Sequence, residues 1–158
     1  MTEDSPKFAR LGEDARRAAL INAALTLMAE GGPAAATVRA IAQKAGVTPG
    51  LIRHYFSSKQ DLTRAAYQAM MSEMTEANLA ASGQAGRPED RLALFIASSL
   101  RPPVADARSL GLWAGFLHQV RHDPQMRAVH KATYLQYRDL LQTLIAALPR
   151  QAGAAQLR

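Results

Sequence analysis

Arg53, His54 and Tyr55 stand side by side in the segment TPGLIRHYFSSK, and Lys59 follows four residues later. These side chains suit one kind of partner. An arginine can donate a bidentate pair to guanine O6 and N7, a histidine can meet a base edge or a phosphate, and a tyrosine can donate to a phosphate. Gly50, just before them, lets the backbone come close to a duplex. Solvated side chains on an ordinary helical hairpin would show the same residues. The elements that position them must decide.

Ile52 and Phe56, four apart, give this segment one inward edge. Thr48 is expected to cap the helix and Pro49 to take its first position, where a missing N–H costs nothing. Thr48, Pro49, Gly50, Arg53, His54 and Tyr55 are left wholly or partly outside. A helix entering a major groove needs this division: one stripe buried against its own domain, the other face polar. Upstream, Thr37 caps a helix over about 38–45 whose apolar positions are Val38, Ile41, Ala42 and Ala45. Gly46 then supplies a turn at positive φ, and Val47 tucks inward. A scaffold helix is expected over about 14–30, capped by Asp14. Ile21, Ala24, Leu25 and Met28 form its stripe, Leu20 and Leu27 widen it, and Arg16 and Arg17 lie away from it. Gly31-Gly32-Pro33 ends it. Downstream, Ser58 and Asp61 have capping-box spacing at the start of a long helix. The N–H groups at that end, with Lys59 beside them, would favour a phosphate.

The 158-residue chain is rich in Ala and Leu, and it has long stretches free of Gly and Pro. Helix is therefore expected almost throughout. Net charge is +6, divided evenly by count between residues 1–60 and 61–158. Within 14–60 only Asp14 and Glu30 oppose six basic residues. A polyanionic partner fits this balance without being required by it. The chain has no Cys, which excludes disulfides and thiolate metal sites. No apolar run approaches a membrane span and no signal core is present, so a soluble, cytoplasmic protein is expected. Residues 1–12 read as a flexible arm, 13–58 as a helix-turn-helix head and 59–158 as a helical body.

In the body, a helix over about 59–81, ~35 Å long at 1.5 Å per residue, buries Leu62, Ala65, Ala66, Ala69, Met70 and Ala77, with Met71 and Met74 beside them. Ser82–Arg87 is a linker. The next helix, from Pro88 to about Leu100, carries Leu92, Phe95, Ile96 and Ser99, and Arg101-Pro102-Pro103 breaks it. A helix over 106–122 is expected to turn Leu110, Trp113, Ala114, Leu117 and Val120 inward, with Phe116 close by. Gly111 and Gly115 leave one of its sides open to close approach. Asp123-Pro124 opens the last helix, about 124–148, with Val129, Tyr134, Tyr137, Leu141, Leu144, Ile145 and Leu148 inward and Pro149 as its stop. Phe95, Trp113, Phe116, Leu117, Tyr134 and Tyr137 are candidates for a ligand pocket between these helices. Plain core packing explains the same pattern. His118 and His122 are four apart with His130 beyond, a spacing open to metals. No Cys or carboxylate pair supports it, so metal is not expected. There is no nucleophile elbow, phosphate-binding Gly loop or zinc-protease motif, and neither an enzyme nor a cofactor is expected.

The run from Thr37 to Leu62 resembles the TetR family of bacterial repressors. It matches at Thr37, Ile41-Ala42, Ala45-Gly46-Val47, Gly50, Ile52, His54-Tyr55-Phe56, Lys59 and Leu62. The resemblance implies an all-α protein with a three-helix DNA-binding head, a helical ligand body and a homodimer. It implies that Thr37 and Arg39 lie by a phosphate. Thr48, Pro49, Gly50, Leu51, Arg53 and His54 would line the groove, and Tyr55 and Lys59 would hold the backbone. Many members have Tyr where Arg53 stands, so their base preference does not transfer. The segment from Leu110 to Leu141 resembles, more loosely, the body of the choline-responsive BetI-type branch, which implies a small cation such as choline held in an aromatic cage. Members usually continue for about two further dimerisation helices, so the bundle is expected to be C-terminally incomplete here. The expected function is a sequence-specific regulator, a repressor released by a small effector. The alternative is a helical protein that reuses the head for a non-DNA partner.

Overall fold

The computed structural model describes residues 12–149. The expected arm, apart from Gly12, and the tail beyond residue 149 lie outside the described residues. Among those described there are seven α-helices and no strand. They are α1 (Glu13–Gly31), α2 (Val38–Ala45), α3 (Pro49–Tyr55), α4 (Lys59–Ser82), α5 (Pro88–Ser99), α6 (Ala107–His122) and α7 (Pro124–Ala146). No helix among them is long and apolar enough to cross a membrane.

Local chemistry sets most of the boundaries. Thr37 caps α2 by accepting from the Ala40 N–H at 3.1 Å. Gly46 ends α2 in the left-handed region at φ 68°, and Gly32 ends α1 at φ 73°. Ser58 caps α4, accepting from the Asp61 N–H at 3.0 Å. Asp106 and Asp123 cap α6 and α7. Two expected caps differ. Asp14 lies inside the first turn of α1, whose N-cap is Gly12 and has no side-chain bond. Acid in that turn still complements the helix dipole. Thr48 occupies the N-cap of α3, but its hydroxyl makes no cap bond. Its backbone carbonyl accepts from the Leu51 N–H instead.

One buried cluster runs through both ends of the molecule. Leu20, Ile21, Leu25, Met28, Ile41, Ile52 and Phe56 continue into Leu62, Ala66, Tyr67 and Met70 of α4, then into Leu112, Phe116 and Met126. α4 contributes to it along much of its length, packing on α1, α5 and α7. Tyr67, absent from the expected core, is fully buried (0%).

The inward faces of α5, α6 and α7 differ from expectation. On α6 the buried residues are Leu112 and Phe116. Leu110 and Trp113 are 50% and 39% exposed, and Ala114 is exposed with them. Apolar residues surround much of this helix, so period alone cannot choose a face. Packing chooses it. Phe116 meets Tyr67 at 4.9 Å between ring centroids, and Gly115 faces Pro33 in the α1–α2 loop. Gly111 meets nothing within 4 Å. Ile96 on α5 and Tyr134 and Ile145 on α7 are also exposed, while Phe95, Met126, Thr133 and Leu144 are buried.

Candidate nucleic-acid interface and body cavity

The head presents α3 by anchoring only two of its positions. Ile52 is buried within α3, and Phe56, extended just past its end, is buried beside it. Arg17 of α1 lies over the Phe56 ring at 5.2 Å, a cation–π contact that ties the end of α3 to the scaffold helix. With that edge fixed, Thr48, Pro49, Gly50, Arg53 and His54 are exposed, and Leu51 and Tyr55 are half-buried. The His54 and Tyr55 rings meet edge to face at 5.1 Å. Thr37, Arg39 and Lys59 are exposed as well.

Charge pairing is uneven across the head. Lys44 is matched by Glu30, Nζ to Oε1 at 3.2 Å, which links α2 to α1. Arg39, Arg53 and Lys59 have no ion-pair partner among the described residues. Unpaired cations beside polar base-reading types make a surface suited to phosphates and base edges. The N-terminus of α4 is less open than its sequence promises. The Asp61 carboxylate accepts from the Ser57 N–H at 3.1 Å, so a resident anion already occupies part of that positive end. Arg64 lies 3.8 Å from Asp61 and 3.6 Å from Asp123, bridging the start of α4 to the cap of α7.

In the body a cavity of about 300 Å³ lies between α4, the loop before α6, α6 and α7. Trp113, Tyr134 and Tyr137 line it. The other expected pocket residues lie elsewhere. Phe95 is in the core against Tyr137, at 5.2 Å between centroids, Phe116 is buried against Tyr67, and Leu117 is not part of the lining. The sequence reading missed the α4 wall: Met71, Met74, Thr75 and Asn78. Their spacing of i, i+3, i+4, i+7 is one helical stripe, and the two polar residues within it were the available signal. No carboxylate or other formal charge lines this cavity. A larger cleft of about 400 Å³ opens between α1, α4 and the start of α6. Its polar lining includes Asp106, which is already committed to capping α6.

Behind the cavity, the Tyr67 hydroxyl meets His130 Nδ1 at 2.6 Å. Burial pushes this phenol above its ordinary pKa, with the Trp113 indole acting the other way to a lesser degree. His130 thus takes a structural place on α7. The His118 and His122 rings meet at a tilt, 5.1 Å between centroids, and among the described residues no group of three metal-ligating side chains forms.

An all-helical protein with a helix-turn-helix head and a cavity-bearing body is the class that these features define. Residues 20–66 match the model for bacterial regulatory proteins of the TetR family, and residues 88–157 match that for the C-terminal part of BetI-type transcriptional repressors. The chain belongs to the TetR family. It is similar to the HTH-type transcriptional regulator BetI of Rhizobium meliloti, 31% identical over 115 residues, which cover 73% of this chain and 57% of that one. The chain therefore spans little more than half the length of that relative. The BetI of Burkholderia thailandensis is 30% identical over 138 residues, 85% of this chain and 70% of its own. Among solved structures, a transcriptional regulator from Pseudomonas aeruginosa PAO1 superposes with a TM-score of 0.79 at 31% identity, over 96% of this chain and 73% of that one. One from Saccharomonospora viridis, in complex with choline, gives 0.72 at 18% identity over 85% and 70% of the two chains.

Proposed function

We propose that this chain is the DNA-binding and effector-sensing part of a transcriptional repressor, with 13–58 as the head and 59–158 as the body. The observation that carries this reading is the exposed, unpaired set Arg39, Arg53 and Lys59 around His54, on a head whose other edge is buried. In this reading Arg53 and His54 read base edges, and Thr48, Pro49, Gly50 and Leu51 lie along the groove. Thr37, Arg39, Tyr55 and Lys59 hold phosphates. Two copies place their α3 helices in successive major grooves about 34–36 Å apart. The exposed apolar residues of α5–α7, Ile96, Leu110 and Ile145 among them, suit such pairing. The protein is a binder rather than an enzyme, and it works in the cytoplasm where its operator is.

The effector we propose is a small quaternary ammonium compound such as choline. Such a cation has no N–H to hydrogen-bond, so aromatic faces suit it better than a carboxylate does. Trp113 and Tyr134, with Tyr137 and the two methionines, supply those walls. The match to BetI-type repressors and the fold shared with the choline-bound regulator support this choice. A coupling of about 1–3 kcal/mol between cavity and head suffices for clear induction.

Operator binding by gel shift at fixed salt tests the head. Arg53→Ala and His54→Ala should each lose about 1–3 kcal/mol on the specific site and relax sequence preference, whereas Lys59→Ala should weaken all sequences alike. Wild-type behaviour from all three would remove the site assignment. If the head instead serves a protein partner, its affinity will lack the steep fall with salt that released counterions impose.

A further inference from the structure

Asn78 is a buried amide that the packing leaves half-used. It lies on α4, is only 2% exposed, and lines the cavity. Its Oδ1 meets the Ser98 hydroxyl at 2.8 Å. Nothing among the described residues accepts from its Nδ2. Among buried side-chain polar atoms of those residues, only Ser82 Oγ lacks a partner. The Asn78 nitrogen is therefore not sealed in the core, and the cavity is the space that reaches it. Solvent in the cavity can meet this donor in the free protein, and a ligand that displaces that solvent must offer it an oxygen or leave it unpaired.

Tyr137 completes the arrangement from α7. Ser99 Oγ lies 3.0 Å from the Phe95 carbonyl and 3.2 Å from the Tyr137 hydroxyl. A serine hydroxyl has one proton. Having given it to the carbonyl, Ser99 accepts from Tyr137, and the tyrosine oxygen keeps a lone pair for a donor in the cavity. The cavity lining thus offers a donor from Asn78 and an acceptor from Tyr137, each tied to α5 through the adjacent Ser98 and Ser99. Most of the rest is indole, phenol ring, thioether and aliphatic carbon, and the Thr75 and Ser109 hydroxyls already give their protons to backbone carbonyls.

We propose that Asn78 and Tyr137 are the specificity-determining pair of this cavity, and that they select a ligand bearing a hydroxyl beside its bulky head group. A hydroxyl both donates and accepts, so it matches the pair, and it satisfies the Asn78 amide whichever end faces it. This inference deepens the proposed effector reading and rests on the same cavity.

The test measures binding through the fluorescence of Trp113, the only tryptophan in the chain. Choline is compared with ethyltrimethylammonium, which keeps the cation and its two-carbon arm but lacks the hydroxyl. The uncharged pair 3,3-dimethylbutan-1-ol and 2,2-dimethylbutane repeats the comparison without charge. Choline should bind about tenfold more tightly than ethyltrimethylammonium, the order expected for one buried hydrogen bond. In Asn78→Leu, which matches the side chain in size, that ratio should collapse toward one. In Tyr137→Phe, which keeps the aromatic wall, it should shrink. Thermal melts confirm that both variants fold. Equal binding of choline and ethyltrimethylammonium to the wild-type protein overturns the inference, as does a ratio that survives Asn78→Leu. If neither cation binds but the neutral alcohol does, in a manner dependent on Asn78, the cation reading falls and the selective pair stands. If none of the four binds, both fall.

Discussion

The head and the body use their polar side chains in opposite ways. In the head, Arg39, Arg53, His54 and Lys59 are held out on exposed backbone, and the cations among them lack ion-pair partners. In the body, Asn78 and Thr133 are buried, and Tyr67 is locked between α6 and α7. The head keeps its chemistry available by anchoring little of α3. The body stores its chemistry inside packed helices, where each group is tuned by a neighbour. A surface built to meet a long polyanion can stay fully hydrated until contact. A cavity built for a small molecule must be largely desolvated beforehand, and its polar groups need partners or a ligand.

This contrast predicts unequal sensitivity to substitution. The largest effect should come from Tyr67→Ala, which empties a fully buried site, removes the ring against Phe116 and leaves His130 Nδ1 unmatched. A loss of about 3–5 kcal/mol is expected in denaturant unfolding. A loss below 1 kcal/mol would mean that the junction of α4, α6 and α7 is not a packed core. Glycines offer a smaller, two-sided comparison. Gly46 turns the head between α2 and α3 at φ 68°, with open space around a Cβ. Gly46→Ala should therefore cost about 1–2 kcal/mol from backbone strain alone. Gly115 sits inside α6, and a Cβ there would meet Pro33 Cγ at an ordinary 3.4 Å. Gly115→Ala should stabilise by about 0.5–1 kcal/mol through helix propensity. If the two variants shift the melting temperature in the same direction, the contact between α6 and the α1–α2 loop is tighter than described.

The same contrast explains what could be read from the residues. In the head, short helices with one narrow apolar edge leave little choice. Ile52 and Phe56 must go in, so Arg53 and His54 must come out, and Thr37, Gly46 and Ser58 mark the joints. The body was legible as helices but not as faces. α6 carries Leu110, Leu112, Trp113, Phe116 and Leu117, and any of several stripes fits a 3.6-residue period. Only the fit of Phe116 on Tyr67 and of Gly115 against Pro33 selects one. Asn78 stayed hidden for a related reason. A polar residue four beyond Met74 reads as a solvent face unless the opposing helices are known.

The helix caps carry the comparison into acid. Thr37 and Ser58 cap head and junction with neutral hydroxyls, whereas aspartates cap α6 and α7. Asp106 is held below the usual carboxylate range chiefly by the Ser109 backbone N–H, at 2.7 Å. Asp123 is held down chiefly by the Met126 N–H, with the Gln125 N–H and Arg64 assisting. Among the described residues the remaining depressed carboxylate is Asp90, paired with Arg87 at the start of α5, so the three found there all lie in the body. A carboxylate whose folded pKa lies below its ordinary value of 3.8 contributes stability above that value and loses it as pH falls through the folded pKa. Acidification from neutral to below that value should therefore loosen α6 and α7 before the head. The effect should be small, because these groups are exposed and screened. Hydrogen exchange by mass spectrometry across that range would follow it, with protection falling first at the N-termini of α6 and α7. Asp106→Asn and Asp123→Asn should flatten the pH response of their own helices and leave that of α2 and α3 unaltered. Earlier loss of protection in α2 would show that the acid-sensitive bonds lie in the head, against the division of polar chemistry drawn between the two regions.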